Sequence, residues 1–309
     1  MRIMVTGGAG FIASHVAQAY VEAGHEVLVL DNLSSGKKEN VPEGARFVFG
    51  DAGSETASEA IRTFRPEVLC HHAAQINVRR SVADPVFDAK ENIVSTLVLL
   101  EAAREHGVRK VIFSSSGGAG YGEQEYFPAD EKHPLKPVSP YGVAKVSVEL
   151  YLQYYRVQFG LEYTALRYSN VYGPRQDPHG EAGVVAIFCE RLLTGQAALI
   201  NGDGLQTRDY VYVGDVVRAN LAALARGDGF SVNIGTGIET DVNTLARLLL
   251  EATGGRSEVR HGPVKPGEQR RSVVDCRRAT AELGWRPEVS LADGLGRTVE
   301  FFRTRAGGP

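Results

Sequence analysis

The chain opens with a short apolar run that leads directly into a glycine-rich turn and then into a predicted helix. The apolar run is Arg2–Thr6, and the residues after it include Gly8, Gly10 and Ala13 in the pattern G-x-G-x-x-A. Glycines at these positions permit a tight turn and let backbone N–H groups approach a bound phosphate. The segment therefore predicts the first β–α unit of an open, doubly wound sheet.

The alternation of strands and helices continues as far as residue 166. Further apolar runs predict buried strands over residues 27–30, 46–49, 68–71, 110–114 and 162–166. The segments between the strands predict helices over residues 11–23, 55–64, 85–106 and 141–159. Such alternation favours βαβ units, with helices on both faces of a parallel sheet. The expected fold class is α/β, with a Rossmann-type doubly wound parallel sheet.

The pattern becomes less regular after residue 168. A polar loop over residues 175–183 precedes a predicted helix over 184–193, and short strands are expected at 198–201 and 231–235. Helices are expected over residues 242–253, 277–283 and 291–303. We expect two domains: a dinucleotide-binding domain over residues 1–168, to which part of 207–235 returns, and a smaller α/β substrate-binding domain over 169–309.

Charge and cysteine content argue against several kinds of partner. Thirty-four Lys and Arg residues stand against 37 Asp and Glu residues, a net charge of −3, so that no strong field attracts nucleic acid. Cys70, Cys189 and Cys276 are scattered, which argues against disulfides or a zinc site. The N-terminal segment lacks the apolar core of a signal peptide, and the apolar runs are too short to span a bilayer. We expect a cytoplasmic protein with no membrane partner and no metal.

The end of the second strand indicates which dinucleotide binds. Asp31 stands 18 residues beyond Ala13, where an acidic side chain binds a ribose 2′-hydroxyl and repels a 2′-phosphate. NAD is therefore favoured over NADP as the cofactor. Asp51, at the end of the third strand, is placed either to meet the adenine ring or to serve as an ordinary turn residue.

A tyrosine, a lysine and a run of serines form the candidate catalytic group. Tyr141 and Lys145 are four residues apart, which places them on one face of a helix. An ammonium beside a phenol favours the phenolate, and such a tyrosine can act as a general acid and base. The serines at 114–116 end the fifth strand, and ligands of an open parallel sheet bind at the carboxyl ends of its strands. A Tyr/Lys pair alone is equally typical of an exposed helix, so the serine-bearing strand is what favours catalysis.

Taken together, these segments resemble the extended short-chain dehydrogenases/reductases, in their NAD-dependent nucleotide-sugar epimerase/dehydratase group. The matching segments run from residue 6 to residue 275 and include TGGAGFIASH, FSSSGGAGYGE, SPYGVAK, LRYSNVYGPRQ and GDGLQTRDYVYVGDV. Within the group, the chain most resembles the bacterial UDP-glucose (UDP-galactose) 4-epimerase branch. The resemblance implies an isomerase that inverts C4 of a UDP-hexose through a transient 4-keto sugar. It also implies a homodimer, formed by the helices over residues 85–106 and 141–159.

The resemblance implies a role for individual residues. Tyr141 would exchange a proton with the sugar 4-hydroxyl, and Lys145 would bind the nicotinamide ribose and lower the tyrosine pKa. Ser116, or alternatively Ser115, would hydrogen-bond the same hydroxyl. The cofactor would contact Gly7, Gly10, Phe11, Ile12, Asp31, Asn32, Ser35, Gly36, Asp51, Ala52, Ala73, Ala74, Gln75, Asn92, Ser114, Tyr141, Lys145 and Tyr168. The nucleotide sugar would contact Ser116, Gly117, Gly118, Tyr141, Asn170, Val184, Val185, Arg208, Glu268, Arg271 and Ser272.

Several of these residues have plain structural alternatives. Asn92 is also typical of an ordinary polar helix position, and Arg208 of a salt bridge between domains. Arg270 and Arg271 are also compatible with a solvated surface. The pair His71–His72 is expected to be structural or to line the cleft, because neighbours on a strand point to opposite faces.

Two positions bear on the reaction and on the sugar. Related 4,6-dehydratases carry an Asp–Glu pair after the catalytic threonine, where this chain has Gly117 and Gly118. The resemblance therefore argues against dehydration. The alternatives that stay open are another NAD(P)-dependent nucleotide-sugar reductase or dehydratase, and a non-catalytic NAD-binding protein. Ser272 matches a position beside the sugar 2-substituent where a large aromatic residue excludes an N-acetyl group. A small serine there implies tolerance of UDP-GalNAc and UDP-GlcNAc as well.

Overall fold

The computed structural model describes residues 1–179, 183–255, 257–264 and 269–306. The strands in these residues are β1 (Arg2–Thr6), β2 (Glu26–Asp31), β3 (Arg46–Phe49), β4 (Val68–His71), β5 (Lys110–Ser116), β6 (Glu162–Tyr168), β7 (Asn170–Tyr172), β8 (Ala198–Asn201), β9 (Thr207–Arg208), β10 (Tyr210–Tyr212), β11 (Phe230–Ile234), β12 (Thr240–Asp241), β13 (Val259–Gly262) and β14 (Arg271–Ser272). The helices are α1 (Phe11–Glu22), α2 (Glu55–Phe64), α3 (Val78–Ala83), α4 (Pro85–Ala89), α5 (Ser95–Glu105), α6 (Gly117–Tyr121), α7 (Pro140–Phe159), α8 (Val184–Leu193), α9 (Val213–Ala223), α10 (Val242–Thr253), α11 (Arg277–Leu283) and α12 (Leu291–Ala306). Within this part of the chain, none of the helices is long and apolar enough to cross a membrane.

Seven strands form one parallel sheet in the order β3-β2-β1-β4-β5-β6-β11. The order reverses between β1 and β4, which is where an open α/β sheet binds its ligand. Thr6 pairs with Leu30 on one side and with His71 on the other, so the carboxyl ends of the three strands are level. The predicted doubly wound α/β fold is confirmed, and β5 and β6 each extend two residues beyond the predicted ends.

Both faces of the sheet are covered by helices. On β1, Ile3 and Val5 point toward α1 and α9, whereas Met4 points to the opposite face, toward α2 and α5, and all three are fully buried. Burial of each such side chain stabilises the fold by about 1.5–3 kcal/mol. Alternate side chains of β1 therefore face opposite sides of the sheet, and both sets are apolar. A sheet that is covered by helices on both sides requires this pattern.

The C-terminal part has an apolar cluster of its own. Phe188 on α8, Leu245 on α10 and Val299 on α12 pack together beside the strand pair β8 and β13. In contrast, β11 joins the main sheet next to β6, and α9 packs on α1. Residues 213–234 thus lie with the N-terminal part, while the division of the chain at residue 168 stays a prediction.

The helix predicted over residues 85–106 is interrupted. Asp84 accepts a hydrogen bond from Phe87 N (2.9 Å) to cap α4, and a π-helical turn, Lys90–Val94, separates α4 from α5. The Ser95 hydroxyl donates to Lys90 O (3.0 Å) across this turn. The turn carries Asn92 toward the loop that follows β4.

Candidate active site

The turn after β1 is shaped by the absence of side chains. Gly7 has φ +69°, and a Cβ placed there would lie 2.7 Å from Ala73 N in the loop after β4. Gly10 precedes α1 and contributes no side chain, while Ser14 N donates the first intrahelical bond to Gly10 O (3.1 Å). The N–H groups of Phe11 and Ile12 therefore precede the helical hydrogen bonds and face the sheet edge, where a diphosphate fits.

Asp31 is held rigidly at the end of β2. Its carboxylate accepts from Ala9 N (2.9 Å) and from Leu33 N (2.7 Å), and it is 7% exposed. A Cβ on Gly36 would lie 2.9 Å from Asp31 Oδ1, so Gly36 leaves room beside the carboxylate. A fixed negative charge here suits a ribose hydroxyl and opposes a 2′-phosphate, so the residues present fit NAD.

Other predicted cofactor residues lie along the same sheet edge. Asn32 donates to Asp51 across the ends of β2 and β3. Ala73 N donates to Thr6 Oγ1 (3.3 Å), which ties the loop after β4 to β1. The remaining residues of this group follow the carboxyl ends of the first four strands and are Phe11, Ile12, Ser35, Gly36, Ala52 and Ala74.

Asn92 anchors the loop after β4. Its Oδ1 accepts from Gln75 N (2.8 Å), and its Nδ2 donates both to Gln75 O (2.9 Å) and to Asp88 Oδ1 (3.0 Å). Both amide hydrogens are thus used within the protein. The geometry favours an indirect role for Asn92, in which it holds Gln75 in place rather than reaching the cofactor itself.

His71 and His72 are both within hydrogen-bond distance of neighbouring side chains. His71 Nδ1 lies 2.7 Å from Thr6 Oγ1 and its Nε2 lies 2.9 Å from Thr96 Oγ1, while His72 Nε2 lies 3.2 Å from the hydroxyl of Tyr168. Burial lowers the pKa of each imidazole to about 3, so both are neutral. Among the described residues, no three His, Cys, Asp or Glu side chains are grouped so as to hold a metal ion.

Tyr141 and Lys145 lie together in the first turns of α7. Ser139 caps the helix by accepting from Gly142 N (3.2 Å), with Pro140 in the first turn. The Lys145 ammonium lies 5.7 Å from the centre of the Tyr141 ring and donates to Ser114 O (2.8 Å) at the end of β5. The helix and the strand are therefore joined at the site.

Burial controls the titration of both residues. It lowers the pKa of Lys145 from 10.5 to about 8, against the opposing effect of Asp88 and Glu149. It raises the pKa of Tyr141 above its usual value, and the negative charge of Asp88 acts in the same direction. The ammonium of Lys145 donates to Ser114 O rather than to the phenol. The predicted lowering of the Tyr141 pKa by Lys145 stays a prediction.

The alternation of β5 separates the serines. The Ser115 hydroxyl is buried and donates to Glu149 Oε1 (2.5 Å), away from the cleft. Ser116, on the opposite face, accepts from Ala119 N (3.2 Å) and caps the short helix α6. Of the two serines left open by the sequence, Ser116 is therefore the candidate for substrate contact. We call residues 116–121 the serine turn.

The predicted nucleotide-sugar residues lie on the other side of the serine turn. Ser272 pairs with Arg208 in register, and Ser272 Oγ would lie 3.5 Å from a Cβ on Gly118. Arg208 is half-buried and donates to Thr207 O (2.8 Å). Asn170 is exposed at the start of β7. Arg208, Ser272 and the serine turn thus bound one side of the cleft.

Three further predicted substrate residues are not seen facing the cleft. Val185 is 1% exposed and packs in the C-terminal cluster, because α8 turns that face inward, whereas Val184 is half-buried. The Val185 side chain therefore packs away from solvent, and the predicted contact of Val185 with the nucleotide sugar stays a prediction. Arg271 is exposed and is paired with Glu239 through two bonds of 2.8 Å. Glu268 lies outside the described residues.

Two buried acidic residues near the site were not predicted from the sequence. Asp88 is 1% exposed and contacts Gln75 (2.9 Å), and Glu149 is 7% exposed beneath the serines. The spacing of Glu149 is a usable signal, since it stands one helical turn beyond Lys145, itself one turn beyond Tyr141. Asp88 shows no such periodicity with the catalytic pair.

The comparison with known proteins agrees with this geometry. The model of the NAD dependent epimerase/dehydratase family matches residues 3–235. This chain belongs to that family. The UDP-glucose 4-epimerase of Mycolicibacterium smegmatis is 47% identical over 312 residues, which cover 99% of this chain and 100% of the relative.

Two solved structures of family members have the same fold over their whole length. The crystal structure of the UDP-glucose 4-epimerase of Thermotoga maritima with UDP-glucose has a TM-score of 0.97 at 53% identity, covering 99% of this chain and 100% of that one. The UDP-glucose 4-epimerase of Thermus thermophilus, solved with NAD, has a TM-score of 0.93 at 47% identity, covering 98% and 99%. The prediction of a NAD-dependent member of this family is confirmed.

Proposed function

We propose that this family member inverts C4 of a UDP-hexose, interconverting UDP-galactose and UDP-glucose through a 4-keto sugar. The observation that carries the proposal is the gathering of Tyr141, Lys145 and Ser116 at one sheet edge. This edge lies between the glycine turn at Gly7 and the paired strands that carry Arg208. The 4-epimerase relatives, with their NAD and UDP-glucose complexes, support the same reaction.

Bound NAD supplies the chemistry of removing a hydride from C4 and returning it. The residues of this chain do the rest. Tyr141 exchanges the proton of the sugar 4-hydroxyl, Ser116 hydrogen-bonds the same oxygen, and the Lys145 ammonium lies 5.7 Å from the centre of the phenol ring. Because burial keeps Tyr141 protonated in the chain alone, the phenolate depends on positive charge brought to the site.

The inversion requires a firmly held nucleotide and a loosely held sugar. We propose that Arg208 and Asn170 bind the diphosphate, since guanidinium donors suit phosphate oxygens. We further propose that the small residues Gly118 and Ser272, which lie side by side, leave room for the sugar to turn. A 4-keto sugar can then present its opposite face before the hydride returns.

Epimerisation in heavy water tests this route. UDP-glucose formed from UDP-galactose in D₂O is expected to carry no deuterium at C4, because a hydride passed to and from NAD does not exchange with solvent. Deuterium at C4 would contradict the redox route, and failure to form any UDP-glucose would contradict the proposed function.

The charge of Lys145 predicts an alkaline limit of activity. An ammonium is charged below its pKa, and burial lowers that of Lys145 to about 8, so turnover is expected to fall as the pH rises through that value. In Lys145→Arg the charge persists to above about pH 12, so this fall should disappear although turnover is lower throughout. A wild-type profile that stays flat from about pH 7 to about pH 10 would contradict the assignment.

Ser272 is proposed as a determinant of sugar size. It is 4% exposed and lies beside Gly118 of the serine turn, where a Cβ would be 3.5 Å from Ser272 Oγ. Ser272→Tyr is expected to lower turnover of UDP-GalNAc by about tenfold or more, because the ring occupies the space of the N-acetyl group, with UDP-galactose changed by less than about threefold. Equal loss on both substrates would count against this role, and Ser272→Ala serves as the control.

We also propose a homodimer that acts in the cytoplasm. In the two helices expected to form the dimer interface, Leu99 and Leu100 are buried within their own chain, against the sheet. A strip of apolar side chains along α4, the π-helical turn and α7 is exposed instead. The strip consists of Val86, Val94, Val143, Leu150, Tyr154 and Val157, each between 47% and 67% exposed. Light scattering is expected to give twice the chain mass, and Leu150→Glu to give monomers, with Leu199→Glu on β8 as the control. A wild-type monomer would contradict the dimer.

A further inference from the structure

A buried ion pair lies beneath the serine turn. Glu149 stands about two turns beyond Tyr141 on α7. Its carboxylate accepts from Arg167 on β6 through Nε (3.0 Å) and Nη2 (2.6 Å), and both side chains are 7% exposed. It also accepts from the hydroxyls of Ser115 (2.5 Å) and Ser231 (2.7 Å). Donors from three strands therefore meet on one carboxylate of the helix that carries the catalytic tyrosine.

The same guanidinium reaches the far end of the serine turn. Arg167 Nη1 donates to the hydroxyl of Tyr121 (2.9 Å), which in turn donates to Asn233 Oδ1 (2.7 Å). Ser115 directly precedes Ser116, and Tyr121 is the last residue of the turn. The ion pair is thus hydrogen-bonded to the residue directly before the serine turn and to the last residue of the turn.

The serine turn has little means of holding its own shape. It contains Gly117, Gly118 and Gly120, and glycine loses more conformational freedom on folding than any other residue. Its helix α6 is only five residues long, too short to be stable by itself. The bond from Ala119 N orients the Ser116 hydroxyl within the turn, so contacts from outside must fix the position of the turn as a whole.

We propose that Glu149 and Arg167 are positioning residues, which hold Ser116 against Tyr141 by bonding both ends of the serine turn. The proposal rests on the function proposed above. A buried ion pair adds little stability over apolar side chains of the same volume, whereas its hydrogen bonds prescribe distance and angle. The pair therefore serves the geometry of the site.

Two serine variants test this with matched chemistry. Ser115→Ala and Ser231→Ala each remove one hydroxyl that donates to Glu149, but only Ser115 adjoins the serine turn. We expect Ser115→Ala to lower kcat for UDP-galactose by about tenfold with KM changed by less than about twofold, because misplacement of a reacting group acts on the chemical step. Ser231→Ala should keep kcat within about twofold of wild type at a similar Tm.

A tyrosine variant probes the other end. Tyr121→Phe removes only the hydroxyl that Arg167 reaches, and should also lower kcat about tenfold. The proposal would be overturned if both serine variants lost kcat equally and in proportion to their loss of Tm. An unchanged kcat in Tyr121→Phe would also overturn it. An inactive wild type would overturn the proposed function instead. The positioning claim would then be decided by crystal structures, where the serine turn should be displaced from α7 in Ser115→Ala and in place in Ser231→Ala.

Discussion

Replacing Tyr141 by phenylalanine is expected to lower kcat for UDP-galactose by about 10³-fold, because the variant has no hydroxyl to exchange a proton with the sugar. The ring and its packing beside Lys145 remain, so the variant should fold and retain its NAD as the wild type does. The measurement is steady-state turnover, together with the amount of NAD released on denaturation. A variant with wild-type turnover would remove Tyr141 from the reaction.

Tyr151→Phe is the matched control for this variant. Tyr151 is on the same helix, α7, but is 39% exposed and lies outside the cleft. It should keep kcat within about twofold, since surface substitutions of this kind have small effects. Loss of activity in both variants would point to a general effect of tyrosine substitution on α7 instead of proton exchange.

Gly7→Ala is expected to cause a large loss of bound NAD. A Cβ at Gly7 would meet Ala73 N at 2.7 Å, and the residue has φ +69°. The left-handed backbone costs about 1–2 kcal/mol, and the shift of the loop after β4 adds about 1–3 kcal/mol more. Because the loop lines the dinucleotide site, we expect NAD affinity to fall by about 100-fold or more. The amount of NAD released on denaturation measures the loss of binding, and the denaturant midpoint of unfolding measures the loss of stability.

Gly24→Ala separates strain from crowding. Gly24 has φ +79°, close to that of Gly7, but a Cβ there has nothing within 4 Å. The variant should lose about 1–2 kcal/mol of stability and keep its NAD. If Gly24→Ala and Gly7→Ala released nucleotide equally, the close approach to Ala73 would not be what the glycine provides.

The regular part of the fold could be predicted because its inner strands are buried on both faces and so appear as short apolar runs. The bounds of β1, β3 and β4 were predicted to the residue, since apolar runs between helices have clear ends. The helix α6 was not predicted, because its glycine-rich sequence has no helical propensity and depends on capping by Ser116. The two-residue strands β9, β12 and β14 are fixed only by pairing across distant segments.

The candidate site was predicted in its main parts and missed where partners are distant in sequence. The i, i+4 pair of Tyr141 and Lys145 is local, and so could be placed on one helix face. The choice between Ser115 and Ser116 depended on Glu149, which is 34 residues from Ser115. The direction of the Tyr141 pKa depended on how deeply the phenol is buried, which no local pattern expresses.

C4 epimerisation is tested most directly by an assay of the purified protein on UDP-galactose with no NAD added, followed by the same assay on UDP-GalNAc. We expect UDP-glucose to form without added cofactor, because the enzyme retains its NAD and the reaction consumes none. We also expect turnover of UDP-GalNAc, because Ser272 is small. Absence of turnover on UDP-galactose, with the protein folded and NAD supplied, would contradict C4 epimerisation of a UDP-hexose as its function.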